Sequence, residues 1–148
     1  LTSPVCRVRA LFDAQCYVGA VNYDNTNTPA IFRDTLTVAS VTSALTLTFT
    51  DPNDRSAGYY SEGRVRFNTG ANANLEREVK SHNFVGGDAQ INLHEPFPFA
   101  VAVGDQALVE AGCDRRFTTC VTKFANGGNF RGEPDVPGLD QVLRRGRR

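Results

Sequence analysis

The sequence predicts an all-β fold, a small β-barrel or sandwich of six or more short strands, with one short helix towards its C-terminal end. Three observations predict it. Short segments alternate apolar and polar residues, clusters of Gly, Pro, Asn and Asp separate them, and a single late stretch changes to helical spacing. A chain of 148 residues with 41% hydrophobic content holds one ordinary core and not two, so residues 1–148 are read as a single β-rich domain.

The first strand falls at residues 31–39 (IFRDTLTVA), where Leu36 and Val38 share a face, and the second at 44–50 (ALTLTFT), where Leu45, Leu47 and Phe49 do. Residues 51–54 (DPND) are dense in turn formers. Gly63 then opens a third strand at 64–68 (RVRFN), with Val65 and Phe67 alternating against Arg64 and Arg66. Three more strands follow at 75–84 (LEREVKSHNF), 89–93 and 106–110, separated by Gly86, Gly87, Pro96, Pro98 and Gly104. Strands this short and this numerous predict a barrel or a sandwich.

In residues 114–124 (DRRFTTCVTKF), Phe117, Cys120, Val121 and Phe124 recur at helical spacing. Residues 126–138 (NGGNFRGEPDVPG) are too rich in Gly and Pro for regular structure and are expected to wrap the surface or a metal site. Residues 139–148 carry Arg144, Arg145, Arg147 and Arg148 around Gly146, which predicts a basic, flexible and solvated tail.

Sixteen Lys and Arg balance sixteen Asp and Glu. No global field draws the chain onto nucleic acid or anionic lipid, and no direct nucleic-acid binding is expected. No run approaches the ~20 apolar residues of a membrane-spanning helix, and residues 1–9 carry no signal-peptide hydrophobic stretch. The chain starts at Leu1 and contains no Met, which predicts an upstream N-terminal domain absent from this chain.

No enzymatic activity is predicted. His82 and His94 are the only histidines, neither sits in a metalloprotease or nucleophile motif, and each is expected at the surface or a strand end. Asp13, Asp105, Glu110 and Asp114 have no spacing that ties two of them into one site. Gly86-Gly87 and Gly127-Gly128 lack the Lys and Ser or Thr of a phosphate loop and read as turns.

The cysteines carry more information. Cys6 and Cys16 form one pair, Cys113 and Cys120 another, and 96 residues separate the inner two. An even count allows two disulfides in three connectivities, although the lack of a secretory signal lowers their weight. Structural zinc ligands sit closer together within each pair than these do. If residues 113–120 were one regular helix, the two Cα atoms would lie roughly 10.5 Å apart, beyond the ~7 Å limit of a disulfide. A centre several ångströms across suits that spacing better than a direct bond, with zinc and disulfides left as alternatives.

Residues 112–138 (GCDRRFTTCVTKFANGGNFRGEPDVPG) resemble the C-terminal signature of a family of phage and gene-transfer-agent tail proteins that form the hub of the tail tip. The features that agree are GCD at 112–114, a second Cys seven positions on, KF at 123–124, NFRG at 129–132 and PG at 137–138. Residues 63–82 (GRVRFNTGANANLEREVKSH), residues 91–112 (INLHEPFPFAVAVGDQALVEAG) and the opening CRVRALFDAQC resemble the same family. In the related tail-tip proteins of lambda-type phages the corresponding domain holds a [4Fe–4S] cluster on four cysteines.

What the resemblance implies here is cluster ligation by Cys6, Cys16, Cys113 and Cys120, so that the C-terminal segment is cluster-binding. It further implies a structural hub in the tail tip or baseplate of a virion or gene transfer agent particle, assembled in the bacterial host cytoplasm. The implied partners are a distal tail or tube-end protein, a central tip or fibre protein, and further copies in a symmetric ring. Such a cluster would tie the two ends of a loop of about a hundred residues, a constraint that for a disulfide is worth about 4.7 kcal/mol. Stapling is therefore a sufficient role, and no flavin or nucleotide fingerprint accompanies it. Other readings of the same residues are a small iron–sulfur electron carrier or redox sensor and a zinc- or disulfide-stapled binding module. Arg115 and Arg116 would tune a cluster beside them, or simply cap a solvated helix end. Phe117, Phe124 and Phe130 would shield it, or fill an ordinary core.

Overall fold

Alternation becomes a barrel in the computed structural model, which describes residues 32–130 and residue 132. The chain divides into two compact units, one within residues 21–113 and one combining 1–20 with 114–148. The described part of the first is a six-stranded all-antiparallel barrel: β1 (Arg33–Val41), β2 (Thr46–Thr50), β3 (Arg64–Phe67), β4 (Glu76–Val85), β5 (Asp88–Leu93) and β6 (Gln106–Glu110). The strands close in the order β1-β2-β5-β4-β3-β6. β3, β4 and β5 form a meander, with β2 beside β5 and β6 beside β3, so two Greek keys share three strands.

Each strand turns one face inward. Leu36 and Val38 of β1, Leu47 and Phe49 of β2, Val65 and Phe67 of β3, Val79 of β4, Ile91 and Leu93 of β5, and Ala107 and Val109 of β6 are buried together. Burial of a Val, Leu or Phe side chain contributes roughly 1.5–3 kcal/mol, and this layer dominates the stability of the unit. Leu45, expected on the same face as Leu47, is instead 42% exposed, because residues 42–45 form the β1–β2 turn that Ser43 closes through its hydroxyl.

A bulge separates expectation from outcome on β4. Val79 faces Leu93 and Ser81 faces Asn92, so Lys80 and Ser81 share one partner position. The extra residue shifts the alternation by one. His82, expected at a surface or strand end, therefore points inward opposite Ile91 and is 2% exposed, with its ring 4.7 Å from that of Tyr60. His94 lies just beyond β5 and is exposed, in agreement with its strand-end reading.

The outer surface is not uniform. On one side Arg64 lies between Glu78 of β4 and Glu110 of β6, donating to the buried Glu110 carboxylate at 2.8 Å and lying 3.7 Å from Glu76. On the other, Thr46 donates to Asn92 at 2.8 Å and Asn92 to Ser81 at 3.0 Å, an uncharged row across β2, β5 and β4.

The connections alternate between the two ends. The β4–β5 turn is Gly86-Gly87, both with positive φ (64° and 95°), the two-residue hairpin geometry that favours glycine. It shares its end with the long β2–β3 loop and with the point where the chain enters and leaves the barrel, where the Ala111 amide donates to the Phe32 carbonyl at 2.9 Å. The β1–β2, β3–β4 and β5–β6 connections form the opposite end. There the fully buried Asn72 clamps the β5–β6 loop, its Nδ2 donating to the Phe99 carbonyl (2.9 Å) and its Oδ1 accepting from the Phe99 amide (3.1 Å).

In the second unit, α1 spans Phe117–Thr122, shorter than the expected 114–124. Arg115 adopts φ 62° and Arg116 is extended, which starts the helix late. One 3₁₀ turn, Gly127–Asn129, follows in a stretch expected to lack regular structure. Residue 131, residues 133–148 and the predicted basic tail lie outside the described residues.

Candidate functional site

Of the four cysteines expected to act together, Cys6 and Cys16 lie outside the described residues. Cys113 is half-buried and directly follows Gly112 at the end of the barrel unit; Cys120 belongs to the other unit and is 7% exposed. Cys113 is not on α1, so the helix-rise argument against a direct bond between Cys113 and Cys120 does not apply to this pair.

The local setting of Cys120 is defined. Its amide donates to the Arg116 carbonyl at 3.0 Å, its carbonyl accepts from the Asn126 amide at 2.8 Å, and its thiol donates to the Asn126 carbonyl at 3.2 Å. A six-residue helix is marginal alone, and this return of the chain onto Cys120 closes it. Phe117 and Phe130 meet edge to face with centroids 5.2 Å apart, while Phe124 is buried. Thiols are the soft donors that zinc and iron–sulfur centres take, so the donor chemistry fits. A thiolate at Cys120 would have to give up its hydrogen bond to Asn126. Among the described residues, no three His, Cys, Asp or Glu side chains come together as a metal site.

The turn after α1 carries a strain that a substitution can read. Ala125 sits at φ 49°, a left-handed conformation that costs a residue with a Cβ roughly 1–2 kcal/mol. Ala125→Gly is expected to stabilise the turn by about 1 kcal/mol. The readout is slower hydrogen exchange at the amides of Ala125 and Asn126, which bond to Val121 and Cys120; unchanged or faster exchange would contradict it.

Asp13 lies outside the described residues, and each of the other acidic candidates has a partner of its own. Asp105 accepts from the Ala102 amide, Glu110 pairs with Arg64, and Asp114 accepts from the Arg116 amide. Arg116 is 77% exposed and lies 3.7 Å from Asp114, a solvated pair.

A polar cluster under the β2–β3 loop escaped the sequence reading. Asp34 of β1, 8% exposed, accepts from Asn53 Nδ2 (2.8 Å), Arg55 Nε (2.8 Å), Arg55 Nη2 (3.1 Å) and Tyr60 Oη (2.9 Å). Asp51 accepts from the amides of Asn53 and Arg55 and so shapes the loop. The Arg55 guanidinium also lies 4.6 Å over the Tyr59 ring. These partners lie 19 to 26 residues apart, and only a polar residue inside strand 31–39 hinted at them.

Burial, then the hydrogen bond to Asp34, pushes the Tyr60 hydroxyl well above the ordinary tyrosine range, and burial raises Tyr59 as well. The hydrogen bond to Asp34 raises Arg55. Both tyrosines therefore stay neutral in the fold when the unfolded chain ionises near pH 10. The stability they contribute is complete below that pH and is lost as pH rises towards their folded values. Denaturant midpoints should fall steeply above about pH 10, less steeply in Tyr60→Phe. Ionisation of all tyrosines at the ordinary pH with the fold intact would refute this.

Residues 58–140 match the family described as phage conserved hypothetical protein BR0599, more than half of the 148 residues. Among solved structures, a chain in the virion of a native gene transfer agent (GTA) particle superposes with a TM-score of 0.78 at 28% identity, over 97% of this chain and 47% of that one. The present chain thus spans about half the length of its structural relative. No curated protein matches.

Proposed function

The chain belongs to the phage conserved family BR0599, and from that premise we propose that it is a non-enzymatic structural component of a phage-like or gene transfer agent particle, a hub in the tail tip. The observation that carries this reading is the likeness to a gene transfer agent virion chain over 97% of the present sequence. A barrel closed on itself, with a filled interior and loops fixed by side-chain clamps, suits a load-bearing part. Its partners are neighbouring tail proteins and further copies of itself.

Within this reading, Cys6, Cys16, Cys113 and Cys120 hold a [4Fe–4S] cluster. The donor chemistry of the two described thiols and the closed turn that fixes Cys120 support it. When bound, such a cluster would supply a crosslink between segments distant in sequence, with each of the four cysteines contributing one thiolate. Zinc on the same thiols is the alternative.

Anaerobic purification with visible absorption and iron, sulfide and zinc assays tests the centre. Brown protein with iron and sulfide in equal amounts is expected. Zinc alone would replace the cluster by the alternative, and colourless protein with neither metal and no reactive thiols would replace both by disulfides. Cys113→Ser should lose the iron and melt lower; an unchanged melting temperature would remove the stapling role. The particle role is tested separately, by looking for the chain at the tail end of purified particles. Its absence from them would end that reading.

A further inference from the structure

Asn126-Gly127 is the one Asn-Gly pair in the 148 residues, and it lies in the turn that closes on Cys120. An asparagine followed by glycine is the pair in which a main-chain nitrogen most readily attacks the preceding side chain, because glycine has no Cβ to shield that nitrogen. Among the described residues no hydrogen bond engages the Gly127 amide, so the fold does not tie up the attacking atom. A side chain at 127 would be crowded: a Cβ there would lie 2.8 Å from Val121 Cγ2 and 3.6 Å from Phe117 Cε2. The close approach of the turn to α1 thus favours the residue that leaves Asn126 reactive.

The closed turn protects Asn126. Ring closure onto its side chain needs the Gly127 nitrogen and the Asn126 Cβ nearly eclipsed about the Cα–C bond, which a ψ of 25° does not give. Asn126 is also only 5% exposed. This protection lasts only while the turn is shut. α1 has six residues, too few to be stable alone, and the neighbouring Ala125 is held at φ 49°, a strained conformation for a residue with a Cβ. Segments of this kind open locally without unfolding of the whole chain.

We infer that Asn126 is a self-modification site, converted at a rate set by the opening of this turn. In the open state the Gly127 nitrogen attacks Asn126 Cγ: the N–Cγ bond forms, the Cγ–Nδ2 bond breaks, and Nδ2 leaves as ammonia with the proton of the Gly127 amide. Water then opens the cyclic imide, its hydroxyl adding to one of the two carbonyl carbons and its proton returning to the Gly127 nitrogen. Opening at Cγ gives aspartate. Opening at the main-chain carbonyl carbon gives isoaspartate, whose chain runs on through Cβ and Cγ.

The isoaspartate branch acts on Cys120 directly. The Asn126 carbonyl that accepts from the Cys120 thiol at 3.2 Å becomes a free carboxylate, and the main chain into Gly127 lengthens by one carbon. A carboxylate is far costlier to bury than a peptide carbonyl, so the turn does not reclose and Cys120 is released from it in one direction only. The inference stands apart from the particle role and from the cluster, since it needs only this turn.

The test holds the purified chain at neutral pH and physiological temperature and follows its peptides by mass spectrometry, with isoaspartate labelled by an isoaspartyl methyltransferase. Conversion should be fastest at Asn126; conversion there no faster than at the other asparagines overturns the inference. The chain unfolded in urea gives the rate of the unprotected pair. The native rate should be measurable but lower. Equal rates would remove the gate, and no native conversion in the time the unfolded chain converts fully would remove the site.

Ala125→Gly, expected above to close the turn more firmly, should slow native conversion about fivefold and leave the rate in urea unchanged. A native rate that does not respond overturns the gating. In chains carrying isoaspartate at 126, Cys120 should react with iodoacetamide several-fold faster than in unconverted chains. Equal reaction overturns the release.

Discussion

Gly112→Ala should prevent the barrel from closing, at a cost of more than about 4 kcal/mol, among the largest that single substitutions produce. A Cβ at Gly112 would overlap the Ser61 carbonyl oxygen and crowd the Gly63 amide, both of them backbone atoms. Gly63 faces the same restriction from the Glu110 carbonyl. The segment leaving β6 and the turn before β3 are packed main chain on main chain, with the Gly112 amide donating to the Tyr59 carbonyl at 3.2 Å and the Gly63 amide to the Tyr60 carbonyl at 2.9 Å. No rotamer change relieves such a clash. Gly87→Ala is the informative control: its φ is 95° with open space around the position, so it should lose only about 1–2 kcal/mol through backbone conformation. Soluble Gly112→Ala protein with an unfolding midpoint near that of the unaltered chain would refute the steric account.

Asp34→Ala is expected to be the second most damaging change. It removes a buried acceptor and strands Tyr60 Oη, Asn53 Nδ2 and the Arg55 guanidinium. Breaking a buried pair by deleting one partner costs 3–5 kcal/mol; Arg55 is 30% exposed and can turn to water, which places the expectation at about 3 kcal/mol. Asp34→Asn keeps the shape and part of the bonding and should cost roughly half of that. Removing Arg55 as well should recover part of the loss, and denaturant titration of the four combinations reads the coupling. A single-variant loss below about 1 kcal/mol would show that the cluster behaves as a surface ion pair.

The strands were legible because period-two alternation marks a half-buried sheet. Residues 106–110 coincide with β6, and the other five agree with the expected segments to within two residues at each end. Closure was not legible. Pairing of β2 with β5 and of β6 with both β1 and β3 joins segments far apart in sequence, and no local pattern encodes it, hence the choice left open between barrel and sandwich. The inward turn of His82 was hidden by the bulge beside Lys80, which shifts the phase of the strand by one residue. The Asp34 cluster escaped for the opposite reason, since each of its members, alone in sequence, looks like an ordinary turn or strand polar residue.

The candidate site was legible only as a set of residue types. Spacing marked Cys113 and Cys120, and the signature around them pointed to a phage protein family, with which membership of the BR0599 family agrees. The start of α1 was misread because Arg115 takes a left-handed conformation, a state that a sequence seldom announces outside glycine and asparagine.

The bond between Ala111 and Phe32 and the pairing of Arg33 with Glu110 bring the first and last strands of the barrel side by side. Its two chain ends therefore emerge from almost the same point, as in domains that tolerate being inserted into other proteins. Such a barrel is portable. A longer polypeptide can carry it on a short stem, gain it or lose it in one recombination event, and leave the path of its own backbone nearly undisturbed.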